Sequence, residues 1–138
     1  MRPRYETDRD MRHEADVKTL IEKAWSCELE KTPPMHHFDF VAVRDRDVMG
    51  FIEYKRRKGN WGTYQDIMLS AKKLNGLIIW DPIPVYFVAQ WDDVTVWAQL
   101  EKKHWANSRW GGRTAQQRDK WDVEIVGHIP NEDFEVLA

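Results

Sequence analysis

The first apolar pattern along the chain has a helical period. Val17, Leu20, Ile21, Ala24 and Trp25 recur at i, i+3, i+4, i+7 and i+8, which predicts an amphipathic helix over 11–25. Glu14 lies one turn before Val17 on the same stripe. Residues 27–31 alternate weakly and predict a short strand, ended by Thr32-Pro33-Pro34. The period then changes to two, and strands are predicted over 37–43 and 49–56 around a polar turn. After a loop at 58–62, Thr63 reads as an N-cap, with Asp66 three residues on imitating a capping box. A second helix is predicted over 64–74, with Ile67, Met68, Ala71 and Leu74 facing inward and Asn75-Gly76 as its stop. The apolar run 77–80 predicts a buried strand, and 85–91 and 94–100 two more around Asp92-Asp93. Residues 101–121 are polar, with a Gly111-Gly112-Arg113-Thr114 loop. Residues 122–129 read as a final strand. The early order, helix, three strands, helix, strand, predicts an α/β fold with a mixed sheet.

The hairpin carries the chemistry. Side chains alternate across a strand, so Asp39, Val41 and Val43 share a face, as do Phe51, Glu53 and Lys55. Folding about residues 44–48 pairs Val43 with Met49 and sets Asp39 opposite Glu53. Two carboxylates so placed are roughly 5 Å apart at Cβ and repel. A divalent cation is the partner that makes such a pair favourable.

Composition narrows the classes. At 138 residues, with 42% hydrophobic and 32% charged content, a single globular domain over 1–138 is expected. A net charge of −2 says nothing about partners, but six of the 21 basic residues fall between Arg44 and Lys58. The lone Cys27 forms no internal disulfide and supplies no Cys-based metal site. No apolar run approaches the ~20 residues that span a bilayer, and no apolar signal core follows the N-terminus. A cytoplasmic location without membrane association is therefore expected.

Asp39, Glu53-x-Lys55 and a carboxylate on the preceding helix together resemble the PD-(D/E)xK nuclease superfamily. The resemblance covers residues 11–80 and leaves 81–138 as a C-terminal β extension. It is most similar to Holliday-junction-resolvase-like and small phage-encoded members, which places the chain in a host cytoplasm. It implies a restriction-endonuclease-like αβββαβ core, a mixed central sheet flanked by helices, and additional C-terminal strands. It also implies a Mg²⁺-dependent DNA endonuclease, with Mn²⁺ as substitute metal. On that reading Asp39, Glu53 and Glu14 bind metal, Lys55 activates water, and Gln65 stands early in the second core helix. Branched or junction DNA is the implied substrate and a homodimer the implied assembly. Phe38 stands where the motif name has Pro. Phosphodiester hydrolysis needs a nucleophilic water, neutralised phosphate charge and a stabilised leaving oxygen, and carboxylate-held Mg²⁺ can supply all three.

Two other Asp/Glu-x-Lys triplets compete. Asp16-Val17-Lys18 lies on a helix, where i and i+2 do not share a face. Glu101-Lys102-Lys103 has Asp92 and Asp93 upstream, but these sit in a turn and no capped amphipathic helix follows. The bland alternatives are equally concrete. Glu14 would complement its helix dipole, and Asp39 and Glu53 would pair with Arg44 or Arg46 on a solvated face. Arg44, Arg46, Arg56, Arg57 and Lys58 are read as tracking a phosphate backbone, against a plain charged strand end. His36 and His37, as strand neighbours, would point to opposite faces and are left out of the site. Trp61, Trp105 and Trp110 would stack on unpaired bases or pack in the core. Gly111-Gly112-Arg113 would offer amides to a phosphate, with an ordinary hairpin connection the simpler reading. A non-catalytic nucleic-acid-binding module on the same fold, or a structural or assembly protein, are the rival functions.

Overall fold

The structure is a computed structural model that describes residues 8–107, 109–112 and 123–138. Helix α1 (Asp8–Trp25) is followed by β1 (Glu28–Lys31), β2 (Phe40–Arg44) and β3 (Asp47–Arg56). Then come β4 (Asp66–Ser70), α2 (Ala71–Trp80), β5 (Val85–Gln90) and β6 (Thr95–Gln99). A 3₁₀ helix (Lys102–Asn107), β7 (Arg109–Gly112), β8 (Val123–Pro130), a short 3₁₀ turn and β9 (Glu135–Val136) complete it. Six strands form one sheet in the order β1-β2-β3-β5-β6-β9, and β4-β8-β7 form a second. β3 and β5 run parallel while their neighbours are antiparallel, so the main sheet is mixed as predicted.

Each face of the main sheet has its own core. Val17 and Ile21 of α1 pack on Leu29, Phe40, Ala42, Ile52 and Val88. The opposite face joins Phe51, Val85, Phe87 and Ala89 to Leu77 of α2 and to Ile67, Leu69 and Ile129 of the second sheet. The alternation along β2 and β3 thus holds, and the face bearing Glu53 and Lys55 is the one that α2 covers. No helix among the described residues is long and apolar enough to cross a membrane.

The second helix corrects the sequence reading. Residues 66–70, expected as its first half, form β4, and Ile67 and Leu69 alternate inward against β8. Its cap is Ser70, whose hydroxyl accepts from Lys72 N–H at 3.3 Å, so Thr63 is not the N-cap. Residues 77–80, expected as a strand, are its last turn, with Leu77 buried and Ile78 and Ile79 57% and 55% exposed. The sixth core element is therefore β5 at Val85–Gln90. Gly76 continues the helix because it touches a neighbour: a Cβ there would lie 2.7 Å from Phe38 Cζ.

The hairpin turn is tighter than expected. Asp45 and Arg46 take φ of 51° and 71°, as a two-residue type I′ turn demands. Val43 consequently pairs with Val48 rather than Met49. A register shift between Ala42 and Val43 restores the expected alignment, with Ala42 opposite Gly50 and Phe40 opposite Ile52. The strand at 123–130 is not the last, because β9 pairs with β6 beyond it.

Candidate active site

Asp39 sits just before β2, held by main-chain bonds on both sides. Its N–H donates to Ile52 C=O at 3.0 Å, and its own carbonyl accepts from Thr32 N–H at 3.0 Å. The Thr32 hydroxyl also reaches this carbonyl at 2.8 Å and touches that of Phe38. The Asp39 carboxylate then accepts from Tyr54 N–H at 2.8 Å, taking a place that a longer β2 would have filled. In an extended strand N–H and C=O of one residue point the same way, so the Tyr54 carbonyl is directed to the side on which Asp39 lies.

Glu53 is opposite. It is 7% exposed, flanked on β3 by buried Phe51 and paired across to Phe87 of β5. Burial pushes its carboxyl up to about 8, the charge of Asp39 adds to the rise, and Lys73 opposes it. Lys73 Nζ lies 3.2 Å from Glu53 Oε1. The contact is poorly aligned, yet close enough for the ammonium to act on the carboxyl both as a charge and as a donor. A buried carboxylate beside a second carboxylate is a hard donor set that suits Mg²⁺.

Lys55 follows two residues after Glu53 on the same face, opposite Ala89 and half-buried. Asp39, Glu53 and Lys55 are thus brought together as expected from strand alternation. Two predicted members are not. Glu14 ion-pairs with Lys31 at the end of β1, and no group of three or more metal-ligating side chains forms among the described residues. Gln65 is exposed before β4, not early in α2, because the helix starts only at Ala71.

The basic residues divide. Arg44 donates to Ser26 C=O at 3.0 Å and Trp25 C=O at 2.6 Å, tying the turn end of the hairpin to the C-terminus of α1. Arg46 is exposed in that same turn, so both lie at the opposite end of the strands from Asp39. Arg56 binds Asp92 and the Gln90 carbonyl, and Arg57 is half-buried. Burial lowers the Arg57 guanidinium from its ordinary value. Lys58 is exposed at the site end of β3. Pairing of Asp39 or Glu53 with Arg44 or Arg46 is thereby excluded.

The rival triplet has no shared site. Asp92 accepts from Gly59 N–H and Asp93 from Trp61 N–H, shaping a loop, while Glu101 pairs with Lys103 beyond the other end of β6. Trp61 packs edge-on against Trp91 and Phe134, so the core reading holds for it. The side chains of Trp105 and Trp110, and residues Arg113 and Thr114, lie outside the described residues.

Lys73 of α2 was missed, and so was the His36-His37 bend whose carbonyl it meets. These histidines lie in a bend before β2, not in a strand. His36 stacks on Trp80 at 4.8 Å, and the His37 carbonyl accepts from Lys73 Nζ at 2.6 Å. The available signal was Lys72-Lys73 after Ser70, legible only once Ser70 is taken as the cap.

The αβββ order, a crossover to a parallel strand, and Asp with Glu-x-Lys on adjacent strands define a restriction-endonuclease-like, PD-(D/E)xK fold. The chain belongs to the family described as "Phage putative PDDEXK endonuclease", which matches residues 1–137. Among solved structures it is similar to Hjc, a Holliday junction resolvase of the archaeal hyperthermophile Archaeoglobus fulgidus. Identity is 17%, the TM-score is 0.53, and 88% of each chain is covered. At that identity the likeness shows the fold. No curated protein matches the chain.

Proposed function

We propose that the protein is a Mg²⁺-dependent DNA endonuclease, with Asp39 and Glu53 as metal ligands and Lys55 as the water-orienting cation. The observation that carries this reading is Glu53, a carboxyl buried within interaction range of the Asp39 carboxylate on the face that also bears Lys55. Family membership supports the nuclease class. Likeness to a Holliday junction resolvase favours branched DNA as substrate.

Each residue has a separable task. Asp39 is held by Thr32, Ile52 and Tyr54, so its carboxylate is presented toward Glu53 in one orientation. Glu53 supplies the opposing oxygen from a dry wall, where charge interactions are strong. The Tyr54 carbonyl is a main-chain oxygen directed to the same side. Bound to these oxygens, Mg²⁺ would neutralise phosphate charge and lower the pKa of a water. Lys55, a cation on the same face, orients the attacking water and stabilises charge on the phosphoryl oxygens.

A second reading, a DNA-binding module without cleavage, is favoured by Lys73 already satisfying Glu53 electrostatically. A cleavage panel of duplex, single-strand, flap and four-way junction DNA separates the two. With Mg²⁺ the wild type cuts, Asp39→Ala and Glu53→Ala abolish cutting, and Lys55→Ala slows it by about 10²–10⁴-fold. Binding without cleavage on every substrate supports the module instead. Cutting unchanged in all three variants removes the proposed site.

A further inference from the structure

Lys73 stands where local helix physics disfavours it. It is in the first turn of α2, next to Lys72, and that turn holds no acidic residue. Cations at a helix N-terminus oppose the macrodipole by roughly 0.3–1 kcal/mol each. A cation held there against its helix, half-buried, needs a compensating partner. Its partners are Glu53 Oε1 at 3.2 Å and the His37 carbonyl at 2.6 Å. The backbone beneath is built for this approach. Gly76, one turn further along α2, lets the helix lie against Phe38, and a Cβ there would also meet His37 Cβ at 3.1 Å. The loop that positions Asp39 and the helix that positions Lys73 are therefore in direct contact.

We propose that Lys73 is a place-holder cation, whose ammonium neutralises the Asp39–Glu53 pair in the metal-free protein and which a divalent ion must displace. The inference rests on the reading of Asp39 and Glu53 as metal ligands. Two positive charges within a few ångströms of one buried oxygen repel strongly, so Lys73 and the metal compete for one place. Lys73 then sets the metal concentration at which the site fills, a positioning role separate from the water-orienting one given to Lys55.

The test is a thermal-shift titration with Mg²⁺, without DNA, at one and the same pH for every variant. Lys73→Met, which keeps the chain length and removes the charge, reaches half its shift at roughly tenfold lower Mg²⁺ than wild type. Lys73→Arg, which keeps the charge, stays near wild type. If the Met variant fails to fold, Lys73→Gln replaces it with the same expectation. Equal or weaker Mg²⁺ binding by the neutral variants overturns the proposal, because loss of a merely structural ion pair does not tighten metal binding. Asp39→Asn distinguishes the two levels. If it abolishes the Mg²⁺ shift while Lys73→Met leaves affinity unchanged, only the place-holder role falls. If Asp39→Asn leaves the shift intact, the metal-site reading falls with it.

Discussion

At the scale of single residues, Glu53 makes the metal-free site sensitive to pH. Its folded value of about 8 lies above its ordinary 4.5, so between the two the folded protein holds a proton that the unfolded chain has released. Stability from this group is full below about 4.5 and is lost as pH rises through about 8, an effect on the order of a few kcal/mol. Glu53→Gln keeps the shape without the ionisation. Its melting temperature, followed from acid to alkaline pH without metal, should fall less steeply than that of wild type. Parallel curves would show that Glu53 ionises as freely as a surface acid. Asp39, Glu53 and Lys55 were legible from the sequence because alternation along two strands is nearly independent of distant contacts. Lys73 was not, because its relevance depends on where α2 begins, and Phe38 was misvalued. In place of the motif's proline it fills the core beside Phe51 and receives Gly76.

At the scale of elements, the misread helix shows why the remainder was hidden. Residues 66–70 alternate only in burial, because Ile67, Met68 and Leu69 are consecutive apolar residues that hide the period, and Thr63 and Asp66 imitate a helix start. The run 77–80 looked like a buried strand because its exposed Ile78 and Ile79 cannot be told from buried ones by composition. Tertiary contact decided both: β4 is held by β8, more than fifty residues away, and the helix passes through Gly76 because Phe38 lies beneath it. Gly76→Ala tests this. In an isolated helix it would gain about 1 kcal/mol. Here the added methyl meets Phe38 at 2.7 Å, and a net loss of about 1–3 kcal/mol is expected in denaturant unfolding. A net gain would show that α2 shifts easily and that the approach to His37 is loose.

At the scale of the molecule, the basic residues that sequence placed in one patch fall at two ends of the central strands. Arg44 secures α1, whereas Lys58 is exposed just past the end of β3 nearer the carboxylates. Arg44→Ala is therefore expected to cost about 1 kcal/mol of stability with DNA affinity unchanged. Lys58→Ala is expected to leave stability unchanged and to reduce the salt slope of DNA binding by about 1. Anisotropy titrations at several salt concentrations, with unfolding curves, check both, and the reverse pattern would move the DNA path to the turn end of the hairpin.

The parallel pairing of β3 with β5 has a consequence for how the molecule assembles. The β2–β3 hairpin closes over a two-residue turn, whereas the first parallel pair, Phe51 with Val85, must wait for the whole β4–α2 crossover. Local contacts form sooner than distant ones. The two acids are therefore juxtaposed early, and the lysine that balances them arrives late, carried by the crossover. The electrostatic cost of bringing them together thus weighs on the path to the native state, so acidity is expected to act on the speed of folding as well as on its outcome.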